Sequence, residues 1–239
     1  GEEFLREPVV GRYEIATPMR EIITIGAGGG TIAWVDFVTK TLRVGPESAG
    51  AIPGPACYDT GGILPTVTDA DLITNRINPD YFLGGKKTLN RDKAFQAIKE
   101  KIAEPLNMDV MEAAEAIIKV IDGIMQATLK TTLAVKGVDP QHYIVFAFGG
   151  AGATHCAGYT KGVGFPKVIV PYYAAAFSAF GASTANIRHR YEMSPYLRIP
   201  DIPFDSTTSR FNLAGLGGLD QLPAGLAERF NETIENLEL

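Results

Sequence analysis

Between residues 142 and 188 two apolar, β-prone runs, HYIVFAF and KVIVP, are each followed by a segment with helical character. A glycine-rich turn, GGAGATH, joins the first run to its helix. The order strand, turn, helix, strand, helix constrains this part of the chain to an α/β layer, because alternating elements bury their apolar faces by stacking helices on a sheet. The pattern predicts a buried strand over 143–148 and another at 167–171.

Upstream, residues 22–25 (IITI), 31–37 (TIAWVDF) and 41–45 (TLRVG) read as strands. The first two flank a glycine loop at 26–30. Residues 46–65 are dense in Gly and Pro, which predicts an ordered surface loop of the kind that often carries function. A strand end then enters a helix over 66–77, with Thr68 or Asp69 as its cap. Residues 91–104 form an amphipathic helix capped by Asn90 and stopped by Pro105. Asp109 and Glu112 form a capping box for a longer helix reaching about Gly137. Its residues Val110, Ala113, Ala114, Ile117, Ile118, Ile121, Ile124, Met125 and Leu129 recur at helical spacing and are expected in the core. From 191 the pattern weakens, and a charged helix is expected near 223–237.

The 239 residues allow one or two domains with a substantial core. A net charge of -5 and the lack of a basic patch argue against nucleic acid as a partner. No signal peptide or membrane span is read at the N-terminus. The two cysteines, Cys57 and Cys156, have no paired spacing, so a reducing cytoplasm is the expected setting and both are read as structural.

The residues able to carry chemistry are few. Gly149, Gly150 and Gly152 sit where a strand delivers a helix, and such glycines serve either as a tight turn or as a place where backbone N–H groups approach a nucleotide. Neither this segment nor Gly28, Gly29 and Gly30 has Walker-loop spacing. His155 is either a proton-transfer or ligand-contacting group or a locally bonded helix-end histidine. Asp69 and Asp71 suit either helix capping or magnesium.

Taken together, IGAGGGTIAWVD (25–36), LRVGPESAGAIPGPACYDTGG (42–62), PTVTDADL (65–72), INPDYFLGG (77–85) and FAFGGAGATH (146–155) resemble the hydantoinase A/5-oxoprolinase family, in order as well as in content. Within that family the chain is similar to the nucleotide-using subunits of acetone and acetophenone carboxylases. The resemblance implies an α/β fold of the actin-like ATPase type, shared with sugar kinases and heat-shock chaperones, in which ATP lies between two lobes. It further implies that Gly149, Gly150, Ala151 and Gly152 form the adenosine turn and that Gly28, Gly29 and Gly30 form a second glycine loop on the same lobe. Ala153 stands where the family usually has proline.

The same resemblance places an N-terminal lobe and two GGT phosphate hairpins upstream of residues like these. The expectation is therefore a second lobe over residues 1–190, then a linker or the start of a further region over 191–239, in a chain that alone handles ATP poorly. ATP and magnesium are the implied cofactors. A hydantoinase B-type carboxylase subunit and other subunits of a hetero-oligomer are the implied partners, with ketone and bicarbonate as substrates. Asp69 and His155 are the candidate catalytic residues. A cyclic-amide hydrolase and a noncatalytic lobe are the alternatives.

Overall fold

The computed structural model describes residues 22–185, together with the backbone of short strands on either side. The chain divides into two compact units, Gly1–Ala185 and Asn186–Leu239. In the first, β1 (Phe4–Leu5) pairs antiparallel with β4 (Met19–Arg20), and β2 (Val9–Val10) with β3 (Tyr13–Glu14). In the second, β9 (Phe204–Asp205) pairs antiparallel with β10 (Arg210–Phe211). The expected boundary at 190–191 and the expected helix near 223–237 lie outside the described residues.

The ordered body begins with a hairpin. Strands β5 (Thr31–Asp36) and β6 (Thr41–Ser48) pair antiparallel, Ala33 opposite Val44 and Val35 opposite Leu42. The two-residue alternation of a strand sends Thr31, Ala33 and Val35 into the core and turns Trp34 outward, where its Nε1 donates to the Gly45 carbonyl at 2.9 Å. Asp36 closes the turn by accepting from the Val38 and Thr39 amides. The expected strand at 22–25 is not formed; those residues are extended and exposed, and no described strand pairs with them.

Helix α1 (Val67–Ile73) is buried along its whole length. Its cap is Thr66, with Asp69 as the reciprocal N3 partner, rather than Thr68 or Asp69 as the cap itself. Helix α2 (Arg91–Ile98) starts on Asn90, whose side chain accepts from the Lys93 amide. Pro105 does not end it. The chain widens into a π-turn over Lys99–Ala103 and continues as α3 (Glu104–Leu106) until Asn107 turns left-handed at φ 53°. A wider turn accommodates a ring that clashes with the carbonyl four residues back and lacks an N–H.

Helix α4 (Val110–Val135) starts on Asp109, which accepts from the Met111 amide, and stops before Gly137 at φ 63°. Its first half buries Val110, Ala113, Ala114, Ile117, Ile118 and Ile121 against α1, α2 and the hairpin. The second half leaves the core: Ile124 is 38% exposed, while Met125 and Leu129 line a cavity. Strand β7 (Ile144–Phe146) runs parallel to β8 (Lys167–Ile169), and the connection between them carries α5 (Ala151–Thr154) and α6 (Cys156–Thr160). Helix α7 (Phe177–Ser183) follows a short 3-10 turn. The strand expected to be buried over 143–148 is instead largely open; of its residues only Ala147 is buried. No described helix layer covers the outer face of this two-stranded sheet, although parallel strands are normally covered on both faces.

The two halves of α4 set up an internal contrast. Ile117→Ala removes a fully buried side chain and is expected to lower unfolding free energy by about 2–5 kcal/mol, whereas Val135→Ala, at 82% exposure, should change it by no more than about 0.5 kcal/mol. Urea denaturation of the two variants checks this.

Candidate functional site

The first glycine segment packs on α1, and the second precedes a histidine that reaches it. In the first, the Gly29 carbonyl accepts from the Thr68 amide at 2.8 Å, and an added Cβ at Gly29 would lie 2.6 Å from Thr68 Oγ1. A Cβ at Gly30 would lie 2.9 Å from Ser48 Oγ. Glycine is therefore demanded here by packing, since real Cβ atoms do not approach that closely. Thr31 Oγ1 accepts from the Gly28 amide at 2.9 Å, and the Gly28 carbonyl accepts from the Thr31 amide at 3.1 Å. The loop nonetheless borders a cavity of about 240 Å³ lined by Gly26, Gly28, Gly30, Thr31 and Ser48.

The second segment has the opposite character. Gly149 adopts φ 79°, a left-handed conformation that favours glycine, and its amide donates to the Ala174 carbonyl at 2.8 Å. Added Cβ atoms at Gly149, Gly150 and Gly152 would meet nothing. Packing within the described residues therefore gives no steric reason for glycine at 150 or 152. A cavity of about 390 Å³ opens beside Gly152, lined by Ile23, Ile25, Met125, Leu129 and Tyr159. Tyr159 donates its hydroxyl to the Gly152 carbonyl at 2.9 Å; burial, then the Cys156 and Asp122 charges, push its phenol up to about 12, so it stays a donor.

The two candidate catalytic residues occupy the interior. Asp69 is fully buried: Oδ1 accepts from the Cys57 amide at 2.7 Å, and Oδ2 from the Ala56 amide, the Thr66 amide and the Thr66 hydroxyl. It completes the capping box that Thr66 opens on α1 and pins the Gly/Pro loop, so both oxygens are engaged by the protein. Cys57, also fully buried, is pushed far up by burial and by the neighbouring Asp69 charge, which makes it an inert thiol. Among the described residues no group of three or more His, Cys, Asp or Glu side chains suits a metal ion.

His155 ends α5 and begins α6, and its ring has no solvent exposure. Nδ1 lies 2.7 Å from Asp122 Oδ1, on α4, and Nε2 lies 3.2 Å from Asp71 Oδ2, on α1. Burial alone would lower its pKa, but the hydrogen bonds and charges of Asp122 and Asp71 outweigh that and raise it to about 9. His155 is therefore a buried imidazolium at a helix end, bonded to carboxylates distant in sequence rather than to local groups. Asp71 binds this histidine and does not cap the helix.

Sequence reading missed Asp122. One signal was available: a carboxylate amid Ile117, Ile118, Ile121 and Met125 is a charge on a buried stripe and needs a partner. Gly158 was missed too. A Cβ there would lie 1.8 Å from Asp122 Oδ2, so glycine lets α6 close onto α4.

A family model described as hydantoinase/oxoprolinase matches residues 2–191. The chain is 46% identical over 187 residues to the acetophenone carboxylase gamma subunit of Aromatoleum aromaticum, covering 78% of this chain and 25% of that one. It is 40% identical over 190 residues to the caprolactamase subunit alpha of Pseudomonas jessenii, covering 80% and 27%. A nucleotide-free structure of acetone carboxylase, from work on ATP-dependent acetone carboxylation, superimposes with a TM-score of 0.74 at 36% identity, covering 80% of this chain and 27% of that one. The chain thus spans about a quarter of the length of these relatives. Among the described residues no helix is long and apolar enough to cross a membrane.

The buried imidazolium gives stability a pH dependence. The folded-state pKa, about 9, lies above the ordinary 6.5, so the contribution is complete below about pH 6.5 and is lost as pH rises through about 9. A shift of this size corresponds to roughly 3 kcal/mol. Denaturant unfolding of the full chain across that window should show the decline, and His155→Gln should flatten it.

Proposed function

The chain belongs to the hydantoinase/oxoprolinase family, and from that membership we propose that it is the second lobe of an actin-like ATPase within an ATP-dependent ketone carboxylase subunit. On this reading residues 1–190 form the lobe and 191–239 lead into a further region. The observation that carries it is the 46% identity to a subunit of acetophenone carboxylase. The likeness to acetone carboxylase supports it in three dimensions.

The residues fit a nucleotide. Gly149, Gly150 and Gly152 leave open space where a side chain would stand, Ala151 adds only a methyl, and Gly152 lines a largely apolar cavity suited to the adenosine end. Gly28, Gly29 and Gly30 line or adjoin the smaller cavity, where Thr31 and Ser48 are the hydroxyl-bearing residues on the side suited to phosphate oxygens. ATP supplies a phosphoryl group that converts bicarbonate or a ketone enolate into a species with a better leaving group. Magnesium accompanies the phosphates and belongs with oxygens outside the described residues, which offer it no cage.

This chain's own contribution is positional. The glycine backbones set the depth of the nucleotide, and Tyr159 fixes the Gly152 carbonyl by donating to it. Asp69 and His155 are both buried, so on this reading proton transfer and carbon–carbon bond formation belong to other parts of the assembly, with a hydantoinase B-type partner supplying the carboxylation site. The assembly works in the cytoplasm, where ATP and bicarbonate are at hand. A second reading, ATP-dependent opening of a cyclic amide, is favoured by the 40% identity to a caprolactamase subunit.

The intact complex decides between these readings. Titration calorimetry with a nonhydrolysable ATP analogue should show binding that Gly150→Asp abolishes, because the new carboxylate enters the open space at the turn. ATP turnover should require ketone and bicarbonate together. Turnover driven by a lactam or hydantoin instead establishes the second reading, and absence of analogue binding leaves a noncatalytic lobe.

A further inference from the structure

We propose that Asp71, His155 and Asp122 form a one-proton clamp that fixes the second glycine turn to helix α1, and so sets its distance from the first glycine loop. The functional consequence rests on the nucleotide reading above; the clamp itself does not.

Helix α1 is a common reference for both glycine segments. The first loop is fastened to its first turn by the Thr68 amide on the Gly29 carbonyl at 2.8 Å, and an Ile32–Thr66 bridge and the Ala33 amide on the Pro65 carbonyl tie the hairpin to the same point. Asp71 lies one helical turn after Val67 on the same buried helix, and its Oδ2 reaches His155. The histidine passes that constraint to the turn through its backbone. Its amide donates to the Ala151 carbonyl at 3.0 Å, and its carbonyl accepts from the Gly158 and Tyr159 amides. Tyr159 in turn holds Gly152. Asp122 supplies the third point, from α4.

The chemistry requires a proton count. A neutral imidazole has one N–H, yet both ring nitrogens face carboxylate oxygens. Only the doubly protonated ring donates to both. Two carboxylates and one imidazolium leave one excess negative charge, and Asp71 Oδ1, buried, has no hydrogen-bond partner among the described residues. Removing the ring proton therefore sets a lone pair against a carboxylate and opens the clamp. The titratable groups that act on the ring are Asp71 from α1 and Asp122 from α4; α5 has none, and on α6 Tyr159 feels Cys156 and Asp122. A purely structural salt bridge would stabilise the whole body, whereas this one holds a particular segment.

Hydrogen exchange read by mass spectrometry on the full chain, corrected for intrinsic rates, separates the two. Asp122→Asn keeps the shape and removes the charge. It should speed amide exchange across Gly149–Thr160 by about tenfold or more near pH 7, leave the 66–74 segment nearly unchanged, and move the pH at which the turn loosens down towards that of an ordinary histidine. Asp71→Asn, which keeps the shorter Asp122 contact, is the milder second variant should the first fail to fold, with the same direction of effect. Unchanged exchange in Gly149–Thr160, or equal acceleration throughout the body, overturns the clamp. With an ATP analogue as probe, the same variants should weaken affinity by about tenfold. If the unmodified assembly binds no analogue, the nucleotide reading fails while the exchange data still decide the clamp.

Discussion

A single imidazolium held between two carboxylates joins three helices that are far apart in the chain. Asp71 comes from α1, Asp122 from α4, and His155 from the junction of α5 and α6. Fully buried, the ring would ordinarily be neutral, because desolvation disfavours its charge. Two opposing charges within hydrogen-bond distance reverse that preference and make the contact conditional on all three partners. The glycine turn and the crossover between β7 and β8 lie on the segment this contact anchors, and Gly152 and Tyr159 from it line the neighbouring cavity.

A second buried carboxylate does the complementary work. Asp69 takes four hydrogen bonds, from Ala56, Cys57 and both polar groups of Thr66, and so joins the start of α1 to the Gly/Pro loop. Two residues apart on one short helix, Asp69 and Asp71 thus point to different partners and organise different loops. Their shared burial explains how α1, only seven residues long, is the centre of the body: Asp69 is satisfied by the loop and cap it locates, and Asp71 Oδ2 by His155. The first glycine loop follows from this arrangement, since its Gly29 must sit against Thr68 with no room for a Cβ.

Much of the fold was legible. The periodicity over 110–121, the caps at Asn90 and Asp109, the strands β5 and β6 and the strand–turn–helix at 144–160 all rest on local pattern and local hydrogen bonding. The misreadings have a common origin. Residues 22–25 have strand composition but no described pairing partner, and 143–148 has buried-strand composition without a described cover, because sheet membership depends on what lies alongside. Pro105 was read as a stop from its chemistry, and the π-turn shows the helix absorbing it. His155 was seen as a lone histidine because neither Asp71 nor Asp122 is near it in the chain.

Residue identity and spacing alone determined the α/β class, the helix starts, the two glycine segments and the family, since each depends on neighbours within a few positions or on motif order. Only the tertiary structure decided what those residues do to one another. It showed that Gly29 and Gly30 sit tightly against Thr68 and Ser48 while Gly149 makes a left-handed turn in open space, and that Asp69 backs the Thr66 cap while Asp71 and Asp122 charge a buried histidine. The physical reason is distance: the charge of His155 is fixed by groups 84 and 33 residues away, brought within 3.2 Å and 2.7 Å only when α1, α4 and α6 pack.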